Sequence, residues 1–470
     1  MRKSYILILL ALVLVSCHKE HPGTIDNTNL LINNDHTVNV TFAAAAGDLV
    51  PATYEGLSFE NSILAEDESF LNANNKVVVQ LMKNLGPGIL RMGGASSDLT
   101  TWSRSVRNSG TPLDVITTTD IDRLAAFSRA IDWPVLFGLN LGNNDPALAA
   151  DEAAYVNQSI GTNLYAFQFG NEPDAYAPYT HHRNPSYGFN DFLAEWRGYH
   201  AAVQKAVPGA EFAGPDVAFN SSWITSFHEN ERGETKLQDG HYYETGPASD
   251  IGIDYNSILG RSYKFGQLLD GVQAASKVQP YRVTEINNVY GGGKPGVSDV
   301  FASALWALDI MWAFADQSCQ GINFHTGKGL FYSPIMNENG VFVTKPEYYA
   351  MLTFRYGSAN GRLVATTTDN TFACSAHTTV INNTYSITLI NKDVNKSYDF
   401  NIIPNKSVMS AKVYRLSAPS ITAKDGITFA GSKVNADGTF NPSASENVTI
   451  TKRNFIVNVP AGSAAVVVAQ

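Results

Sequence analysis

Cysteine is scarce in this chain, with three residues among 470. They are Cys17, Cys319 and Cys374, and none stands in a CxxC or similar spacing. Disulfide frameworks and cysteine metal sites need clustered or regularly spaced cysteines, so the sequence argues against both. Cys319 ends the apolar helix-like run FASALWALDIMWAFADQSC, which predicts a buried thiol.

Positive charge is also in short supply, because 33 lysine and arginine residues are set against 43 aspartate and glutamate residues. The formal net charge is −10. A nucleic-acid partner calls for a basic surface, so this balance argues against one. It argues, more weakly, against a long cleft for a heavily sulfated polymer.

The N-terminal segment lacks a hydrophobic run long enough to span a membrane. Its apolar stretch, Tyr5–Val15, is short, whereas a transmembrane helix needs about 20 apolar residues. Because Arg2 and Lys3 precede it, the stretch predicts a secretory signal over residues 1–17, which is set apart from the fold.

The signal ends in LVSC, which resembles a bacterial lipobox, the motif whose cysteine is lipidated. Cys17 would then become the N-terminus of a lipid-anchored protein of the bacterial envelope. An ordinary signal peptide that ends in a stray cysteine is the alternative. Residues 18–36 are polar and rich in Asn, which predicts a tether.

Strand–helix alternation is present from residue 54 to about residue 327. The apolar β-like runs are YEGLSFE (54–60), GILRMGG (88–94), VLFGLNL (135–141), YAFQFGNE (165–172), EFAGPDVA (211–218), HYYE (241–244), YRVTEIN (281–287) and GINFHTG (321–327). Eight repeats of this pattern predict a parallel (β/α)₈ TIM barrel. A doubly wound open sheet is the alternative, but no GxGxxG or GxxxxGK motif follows any of the runs.

The pattern changes at the end of the predicted barrel, which covers residues 46–355. Short alternating runs separated by Asn, Pro, Gly and Ser predict a β-sandwich over residues 356–470. The isolated run HTVNVTF near the start alternates in the same way. We therefore expect a strand over residues 37–45 to join this C-terminal sandwich.

Polar residues at the carboxyl ends of the barrel strands are the candidates for an active site. They are Glu60, Arg91, Asn140, Asn171, Glu172, Asp216, Glu244, Glu285 and His325. Glu172 ends the fourth run in FQFGNEPD, and Glu285 ends the seventh in RVTEIN. Strands four and seven lie on opposite sides of a barrel mouth, so these two carboxyl groups can face one point.

Two facing carboxyl groups are what glycoside hydrolysis requires, and the reaction needs no metal or cofactor. A single glutamate at a strand end would more simply form a salt bridge, but the pair favours catalysis. One carboxyl group must hold a proton and the other must stay ionised. Arg91 would keep Glu285 ionised, or else it is a structural arginine of the barrel.

The motifs resemble those of glycoside hydrolase family 79, the β-glucuronidase and heparanase family, within the clan of retaining barrel glycosidases. The similar segments are YEGLSFE, LRMGGASSD, FQFGNEPD and TEINNVYGGG, and the similarity runs from about residue 40 to the C-terminus. One departure is Ala95, where bacterial relatives often have Asn after the Gly-Gly pair. This departure puts a loop contact in doubt, not the chemistry.

The resemblance implies a role for each matching residue. Glu172 would be the acid/base and Glu285 the nucleophile. Asn171 would bind the sugar 2-hydroxyl group, and Glu60 and Asn61 would bind other hydroxyl groups. His325, at the eighth strand, is a further candidate for the site, although a lone histidine there is often a core residue.

The loop NNVYGGGKPG after Glu285 has a role under the same resemblance. The carboxylate of a uronic acid would be held by Tyr290, by the amides of Gly291 and Gly292, and by Tyr332. Glycine accepts the positive φ angles that an anion-binding run of N–H groups needs. Tyr243 would contribute to the pocket wall. A flexible turn is the alternative for a glycine run.

The sequence thus predicts a retaining exo-β-glucuronidase that removes terminal glucuronic acid, or its 4-O-methyl ether, from glycans. Neither a nucleic acid nor an obligate protein partner is expected, and the membrane is expected to be reached only through the lipid anchor. Three alternatives remain: an endo-acting heparanase-type enzyme, a non-catalytic glycan-binding lipoprotein, and a barrel glycosidase specific for another sugar.

Overall fold

The computed structural model describes residues 30–260, 279–369, 373–450 and 453–470. The predicted signal segment, Cys17 and residues 18–29 of the predicted tether lie outside the described residues. Within the described ranges, no helix combines the length and the apolar character that crossing a membrane would require.

The strands are numbered here in chain order. They are β1 Thr37–Leu49, β2 Glu55–Glu60, β3 Ile89–Gly93, β4 Thr101–Ser103, β5 Val115–Thr117, β6 Val135–Leu139, β7 Leu164–Phe169, β8 Ala213–Val217, β9 Leu237–Thr245, β10 Tyr281–Val289, β11 Ile322–Thr326, β12 Ile335–Glu338, β13 Val341–Thr344, β14 Arg362–Thr368, β15 Cys374–Ile381, β16 Thr384–Asn391, β17 Tyr398–Ile403, β18 Ala411–Ser417, β19 Thr428–Phe429, β20 Glu446–Val448, β21 Phe455–Val459 and β22 Ser463–Ala469.

The α-helices within the described residues are numbered in the same way. They are α1 Ile63–Glu66, α2 Lys76–Asn84, α3 Thr118–Ile131, α4 Pro146–Ile160, α5 Phe189–Ala206, α6 Ser222–Glu231, α7 Tyr255–Leu259, α8 Phe301–Ala315 and α9 Pro346–Ser358.

Eight parallel strands form a nearly closed barrel. Their order is β7-β6-β3-β2-β11-β10-β9-β8. The two ends of this order meet at a parallel bridge between Phe167 and Phe212, and the amide of Phe167 donates to the carbonyl of Glu211 at 2.9 Å. The TIM barrel that the alternation predicts is thus confirmed, and all eight carboxyl ends lie at one mouth.

The sixth barrel strand, β9, begins four residues earlier than the sequence pattern indicates. Its first part contains the polar pair Gln238 and Asp239, which hides the strand in a hydrophobicity pattern although both side chains are buried. Asp239 is accommodated because it accepts from the Gln168 amide at 2.5 Å and from the Asp216 backbone N–H at 2.8 Å. Buried polar groups that are hydrogen-bonded in this way cost little free energy of folding.

The C-terminal region is a β-sandwich. The strand order of its sheet is β19-β18-β22-β16-β15-β14-β1-β17-β21, and β20 pairs with β18. Residues from both ends of this order share one apolar core, among them Val38, Phe400, Leu389 and Val467, so the sheet folds back on itself.

The N-terminal strand lies inside the sandwich sheet. β1 runs on to Leu49, antiparallel to β14 and parallel to β17. The residues just before it also contact the sandwich, since Asn401 donates to the carbonyl of Leu30 at 2.8 Å. The end of the predicted tether is therefore part of the folded domain.

Helix α8 joins the barrel to the sandwich. Every one of its residues is buried, which explains why its sequence is apolar on all sides. Asp309 on this helix pairs with Lys392 at 2.7 Å and accepts from Ser375 at 2.7 Å, both from the sandwich. Trp312 stacks on His377 with ring centroids 5.4 Å apart.

Candidate active site

The two predicted catalytic glutamates face each other at the barrel mouth. One carboxylate oxygen of Glu172 and one of Glu285 lie within 4.8 Å of each other. The Glu172 side chain is 22% exposed and that of Glu285 is 8% exposed, so both border a cleft that solvent reaches. The sequence pattern predicts that the seventh barrel strand ends at Glu285. In the structure this strand, β10, continues to Val289.

Glu172 is held in an unusual backbone conformation just after β7. Its φ of 52° lies in the left-handed region, which is costly for a residue with a long side chain. Its amide donates to the carbonyl of Asp216 at 2.9 Å, so the chain after β7 is tied to the chain at β8. Strain of this kind persists only where the surrounding contacts fix the direction of the side chain.

Arg91 links the nucleophile candidate to the barrel interior. Its buried guanidinium donates to Glu285 at 2.8 Å and to Asp216 at 2.7 Å. It also donates to Ser58 at 2.8 Å and to the Asn171 side chain at 3.0 Å. Arg91 therefore acts both as a cation beside Glu285 and as a structural arginine, so the two interpretations of the sequence hold together.

Glu285 is kept ionised by its surroundings. Burial alone would raise its pKa, but the positive charges of His325, His241 and Arg91 outweigh burial and lower the pKa of Glu285 to about 2. The hydroxyl of Tyr243 donates to its other oxygen at 2.8 Å. Tyr243 was predicted to line the pocket wall, and its hydroxyl also contacts the nucleophile candidate directly.

His241 is a site residue that the sequence analysis missed. Its Nδ1 lies 2.9 Å from Glu172 and its Nε2 lies 3.0 Å from Asp216. Burial opposes a charged imidazole, but the carboxylates of Asp216 and Glu285 and the bond to Glu172 raise the pKa of His241 well above its usual value. His241 therefore places a positive charge next to Glu172.

Strand alternation could have found His241. In β9, Tyr243 faces the barrel mouth, so the residue two positions earlier faces the same side. The sequence analysis chose Glu244 because it ends the HYYE run. The carboxylate of Glu244 instead accepts from Tyr242 at 2.7 Å and from Trp306 on helix α8 at 3.2 Å.

Glu172 differs from Glu285 in its protonation. Burial, together with the negative charges of Glu285 and Asp174, raises the pKa of Glu172, and the neighbouring His241 opposes this rise without cancelling it. Glu172 thus keeps its proton to higher pH than Glu285 does. Two carboxyl groups with separated pKa values are the arrangement that an acid and a nucleophile require.

Asn171 is oriented by contacts on both sides. Its backbone amide donates to Asp98 at 2.9 Å, and its side-chain oxygen accepts from Arg91 at 3.0 Å. No acceptor among the described residues takes the N–H groups of its side-chain amide. These groups remain available to a ligand in the cleft.

Of the other residues predicted for the site on the first and eighth strands, Glu60 and His325 lie close to each other. Glu60 is 32% exposed at the mouth, and its carboxylate lies 3.4 Å from His325 and accepts from the amide of Ser96 at 2.7 Å. His325 also lies 3.6 Å from Glu285. Asn61 is buried, its side-chain amide donates to the carbonyl of Gly138 at 2.9 Å, and its side-chain oxygen has no hydrogen-bond partner among the described residues.

The glycine loop after β10 has the backbone that the sequence predicts. Gly291, Gly292 and Gly293 have φ angles of 82°, 92° and 79°. The amides of Gly291 and Gly292 find no acceptor within the part of the chain that the structure describes. The carbonyl of Gly292 accepts from the amide of Phe331 at 2.8 Å, which fastens this loop to the loop after β11.

Three tyrosines form a wall between this loop and Glu285. The Tyr243 ring lies 6.3 Å from the Tyr290 ring and 6.2 Å from the Tyr332 ring, measured between centroids. The hydroxyl groups of Tyr243 and Tyr332 are hydrogen-bonded to each other. The predicted residues Tyr290 and Tyr332 thus both lie against Tyr243, which contacts Glu285.

The cluster of Glu172, His241 and Glu285 has ligand atoms close enough to surround a metal ion. Both ring nitrogens of His241 are already bonded to carboxylates, and its pKa is raised well above the usual value. A protonated imidazole has no free lone pair for a metal. These three residues therefore do not fit a metal site.

Comparisons with known proteins show which proteins this chain is similar to. Residues 363–466 match the family model described as the glycosyl hydrolase family 79 C-terminal beta domain. A curated β-glucuronidase of Aspergillus niger is 24% identical over 490 residues, which is 88% of this chain and 90% of that protein. A curated β-glucuronidase of Neurospora crassa is 24% identical over 244 residues, covering 45% of this chain and 44% of that protein.

A solved structure has the same fold. It is a 4-O-α-L-rhamnosyl-β-D-glucuronidase from Fusarium oxysporum, with a TM-score of 0.74 and 17% identity over 92% of this chain and 100% of that chain. Together these matches confirm the resemblance to glycoside hydrolase family 79, and the chain is a glycoside hydrolase.

Proposed function

We propose that this glycoside hydrolase is a retaining exo-β-glucuronidase of family 79, which removes terminal glucuronic acid, or its 4-O-methyl ether, from glycans. The observation that carries the proposal is the pair formed by Glu172 and Glu285, whose carboxylate oxygens lie within 4.8 Å of each other. This distance supports the retaining mechanism, in which the carboxyl groups are about 5–5.5 Å apart, over the inverting one, which needs about 6.5–9.5 Å.

The reaction takes two steps. In the first, Glu172 donates its proton to the glycosidic oxygen while the Glu285 carboxylate attacks the anomeric carbon, which forms a covalent glycosyl-enzyme and releases the leaving group. In the second, the Glu172 carboxylate takes a proton from water, the water oxygen attacks the anomeric carbon, and the bond to Glu285 breaks. Two inversions give a product with the original β configuration.

The residues around the pair have distinct tasks. Arg91 and Tyr243 hold the two oxygens of Glu285 and fix the direction of its attack. Asn171 presents free amide N–H groups, which suit the sugar 2-hydroxyl group. His241 orients Glu172 and stabilises the carboxylate that forms once the proton has been donated.

The loop after β10 supports glucuronic acid as the sugar. The free amides of Gly291 and Gly292, beside Tyr290, offer donors to an anion without introducing a full positive charge. The hydrogen bond between Gly292 and Phe331 links the loop after β10 to the loop after β11. We propose that these linked loops border the pocket for a terminal sugar, which is the basis for exo action. The two curated relatives carry the name β-glucuronidase, which points the same way.

A panel of p-nitrophenyl glycosides tests the sugar specificity. With two or more hydrogen bonds to the carboxylate, each worth about 1.5–3 kcal/mol, kcat/KM on the β-glucuronide is expected to exceed that on the β-glucoside and the β-xyloside by at least about a hundredfold. Comparable rates on the β-glucoside would contradict the proposed specificity while leaving the glycosidase chemistry in place.

The variant Tyr290→Phe tests the role of the loop directly. Loss of one hydrogen bond to a charged group is expected to lower kcat/KM on β-glucuronides by roughly ten- to a hundredfold. The β-glucoside lacks the charge, so its lower rate should stay nearly the same. Steady-state kinetics on the two substrates gives the comparison.

The control for this experiment is Tyr332→Phe. The Tyr332 hydroxyl is bonded to Tyr243, which in turn holds Glu285, so this variant is expected to affect both substrates. If Tyr290→Phe also lowered both rates equally, the loop would support the nucleophile rather than bind the uronate.

The variant His241→Asn tests how the pKa of Glu172 is set. The positive charge of His241 favours the ionised form of Glu172, so removing it is expected to raise the pKa of Glu172 further. The alkaline limb of kcat/KM, where the acid loses its proton, should then move to higher pH, with a drop in rate of about tenfold or more. A pH profile of the variant measures both, and an alkaline limb at the wild-type position would contradict this role.

We also propose that Cys17 anchors the enzyme to a membrane of the bacterial envelope. The LVSC motif is what supports this proposal. Membrane fractionation and palmitate labelling test it. The wild type should sediment with membranes and carry the label, whereas Cys17→Ser should be soluble or unprocessed and carry no label; a freely soluble wild type would contradict the proposal.

A further inference from the structure

Two large aromatic side chains are exposed next to each other at the barrel mouth. Tyr179 is 64% exposed and Phe219 is 57% exposed. Their ring centroids lie 4.9 Å apart with an angle of 42° between the planes. Single exposed aromatics are common on protein surfaces, but a touching pair in loops that carry active-site residues calls for an explanation.

The pair belongs to the two loops that surround Glu172. Tyr179 lies in the π-helical turn Tyr176–Thr180, which follows Glu172 after the short helix Pro173–Ala175. Phe219 follows strand β8 in the neighbouring loop, where the carbonyl of Asp216 accepts from the amide of Glu172. The aromatic pair therefore lies on the side of the site that carries the proton donor.

Asp174 fastens these two loops together. Its carboxylate accepts from the backbone amides of Ala218 at 3.1 Å, Phe219 at 2.7 Å and Asn220 at 2.7 Å. The backbone that carries Phe219 is thus fixed relative to the chain just after Glu172. The fold thus fixes the backbone that carries Phe219, and the Phe219 ring contacts the Tyr179 ring.

We infer that Tyr179 and Phe219 form the binding surface for the leaving group, and that this group is a neutral pyranose ring. The inference rests on the proposed function, because a general acid protonates the oxygen that leaves, and the leaving group must lie on its side. The exposed face of an aromatic ring binds the C–H-rich face of a sugar while leaving the sugar hydroxyl groups in water.

The charges around the pair favour a neutral sugar. Asp174 is bonded to the backbone of the loop that carries Phe219, and Glu172 precedes the turn that carries Tyr179. Both are acids, and the acidic balance of the whole chain is also unfavourable for a sulfated or carboxylated leaving group. The nearby Arg183 is engaged, since it forms a salt bridge with Glu195 at 2.9 Å.

The ring geometry favours a sugar over a flat aromatic leaving group. With centroids 4.9 Å apart, Tyr179 and Phe219 already contact each other, so no slot is open for a third aromatic ring between them. A ligand has to lie across their outer faces, which are tilted rather than coplanar. The puckered face of a pyranose suits such a surface better than a planar aryl group does.

Three substrates that differ only in the leaving group show how much the aromatic pair contributes to binding that group. They are β-glucuronyl-galactose, p-nitrophenyl β-glucuronide and glucuronyl fluoride, whose fluoride leaving group cannot contact the pair. In the double variant Tyr179→Ala/Phe219→Ala, kcat/KM on the disaccharide is expected to fall roughly tenfold, with a rise in KM, while hydrolysis of the fluoride stays within about twofold of the wild type.

The conservative double variant Tyr179→Phe/Phe219→Tyr keeps both rings and serves as the control. It is expected to retain the wild-type ratio between the disaccharide and the fluoride, and equal melting temperatures of all variants would exclude misfolding. An unchanged ratio in the alanine variant would overturn the inference. So would a fall confined to the p-nitrophenyl substrate, which would assign an aromatic leaving group instead. If the wild type failed to hydrolyse the fluoride, the glucuronidase assignment itself would fall, and the inference with it.

Discussion

The variant Glu285→Gln is expected to lose turnover on every glycoside, by a factor on the order of 10⁴ or more. The amide is neutral and a poor nucleophile, so the covalent intermediate cannot form. Arg91 keeps its bonds to Asp216, Ser58 and Asn171 in this variant, so the barrel interior is expected to remain folded. Steady-state kinetics on an activated and an unactivated glucuronide measures the loss.

The matched control is Glu244→Gln in the neighbouring strand. The carboxylate of Glu244 contacts Tyr242 and Trp306 rather than the cleft, so this variant is expected to retain most of the wild-type rate. An active Glu285→Gln enzyme, or equal losses in the two variants, would remove Glu285 from the role of nucleophile.

The variant Glu172→Ala is expected to discriminate between leaving groups. A sugar leaving group needs a proton, and loss of the general acid should lower its kcat/KM by about 10²- to 10⁴-fold. A 2,4-dinitrophenyl group leaves without a proton, so the first step on that substrate should change little. The second step is slowed because no base activates the water, and the glycosyl-enzyme should accumulate.

Azide provides the control for this variant. The small anion needs no general base, so it is expected to restore turnover of the dinitrophenyl substrate and to give a β-glucuronosyl azide. Wild-type enzyme should show no such rescue. Equal losses on the sugar and the dinitrophenyl substrates, without a glycosyl azide product, would contradict the assignment of Glu172 as acid/base.

The barrel and its catalytic pair could be predicted because they leave strong patterns in the sequence. Seven of the eight runs are apolar and bounded by turn residues, and they match β-strands of the barrel to within a few residues. Glu172 and Glu285 stand at the ends of apolar stretches in the sequence, within conspicuous polar motifs, although strand β10 itself continues past Glu285 to Val289. Alternation also predicted the C-terminal sandwich, although a sequence gives no sign of how its strands are ordered.

The buried polar network was not predictable in the same way. Gln168, Asp239 and His241 are hydrophilic residues inside a barrel, and hydrophobicity patterns assign such residues to the surface. Asp216 was predicted at a strand end, but its sequence does not show that it is buried with them. They are buried because each finds hydrogen-bond partners on a neighbouring strand, for example the 3.0 Å contact between His241 and Asp216. Such contacts depend on strand register, which the sequence of one strand does not contain.

The contact between Tyr243 and Glu285 could not be predicted from the sequence either. Its place in the HYYE run indicated that it would border the pocket, but the 2.8 Å bond to Glu285 depends on the pairing between strands β9 and β10. The side chain therefore supports the nucleophile as well as the wall. Its second contact, with Tyr332, then connects the reacting carboxylate to the loop that is proposed to bind the uronate.

The anomeric form of the first product tests the central claim most directly. Proton NMR of the wild-type enzyme acting on p-nitrophenyl β-glucuronide, recorded before the sugar mutarotates, distinguishes the two anomers of glucuronic acid. The close approach of Glu172 and Glu285 predicts that β-glucuronic acid forms first and that the α form follows only by mutarotation. Initial formation of α-glucuronic acid would show inversion and would contradict the double-displacement mechanism.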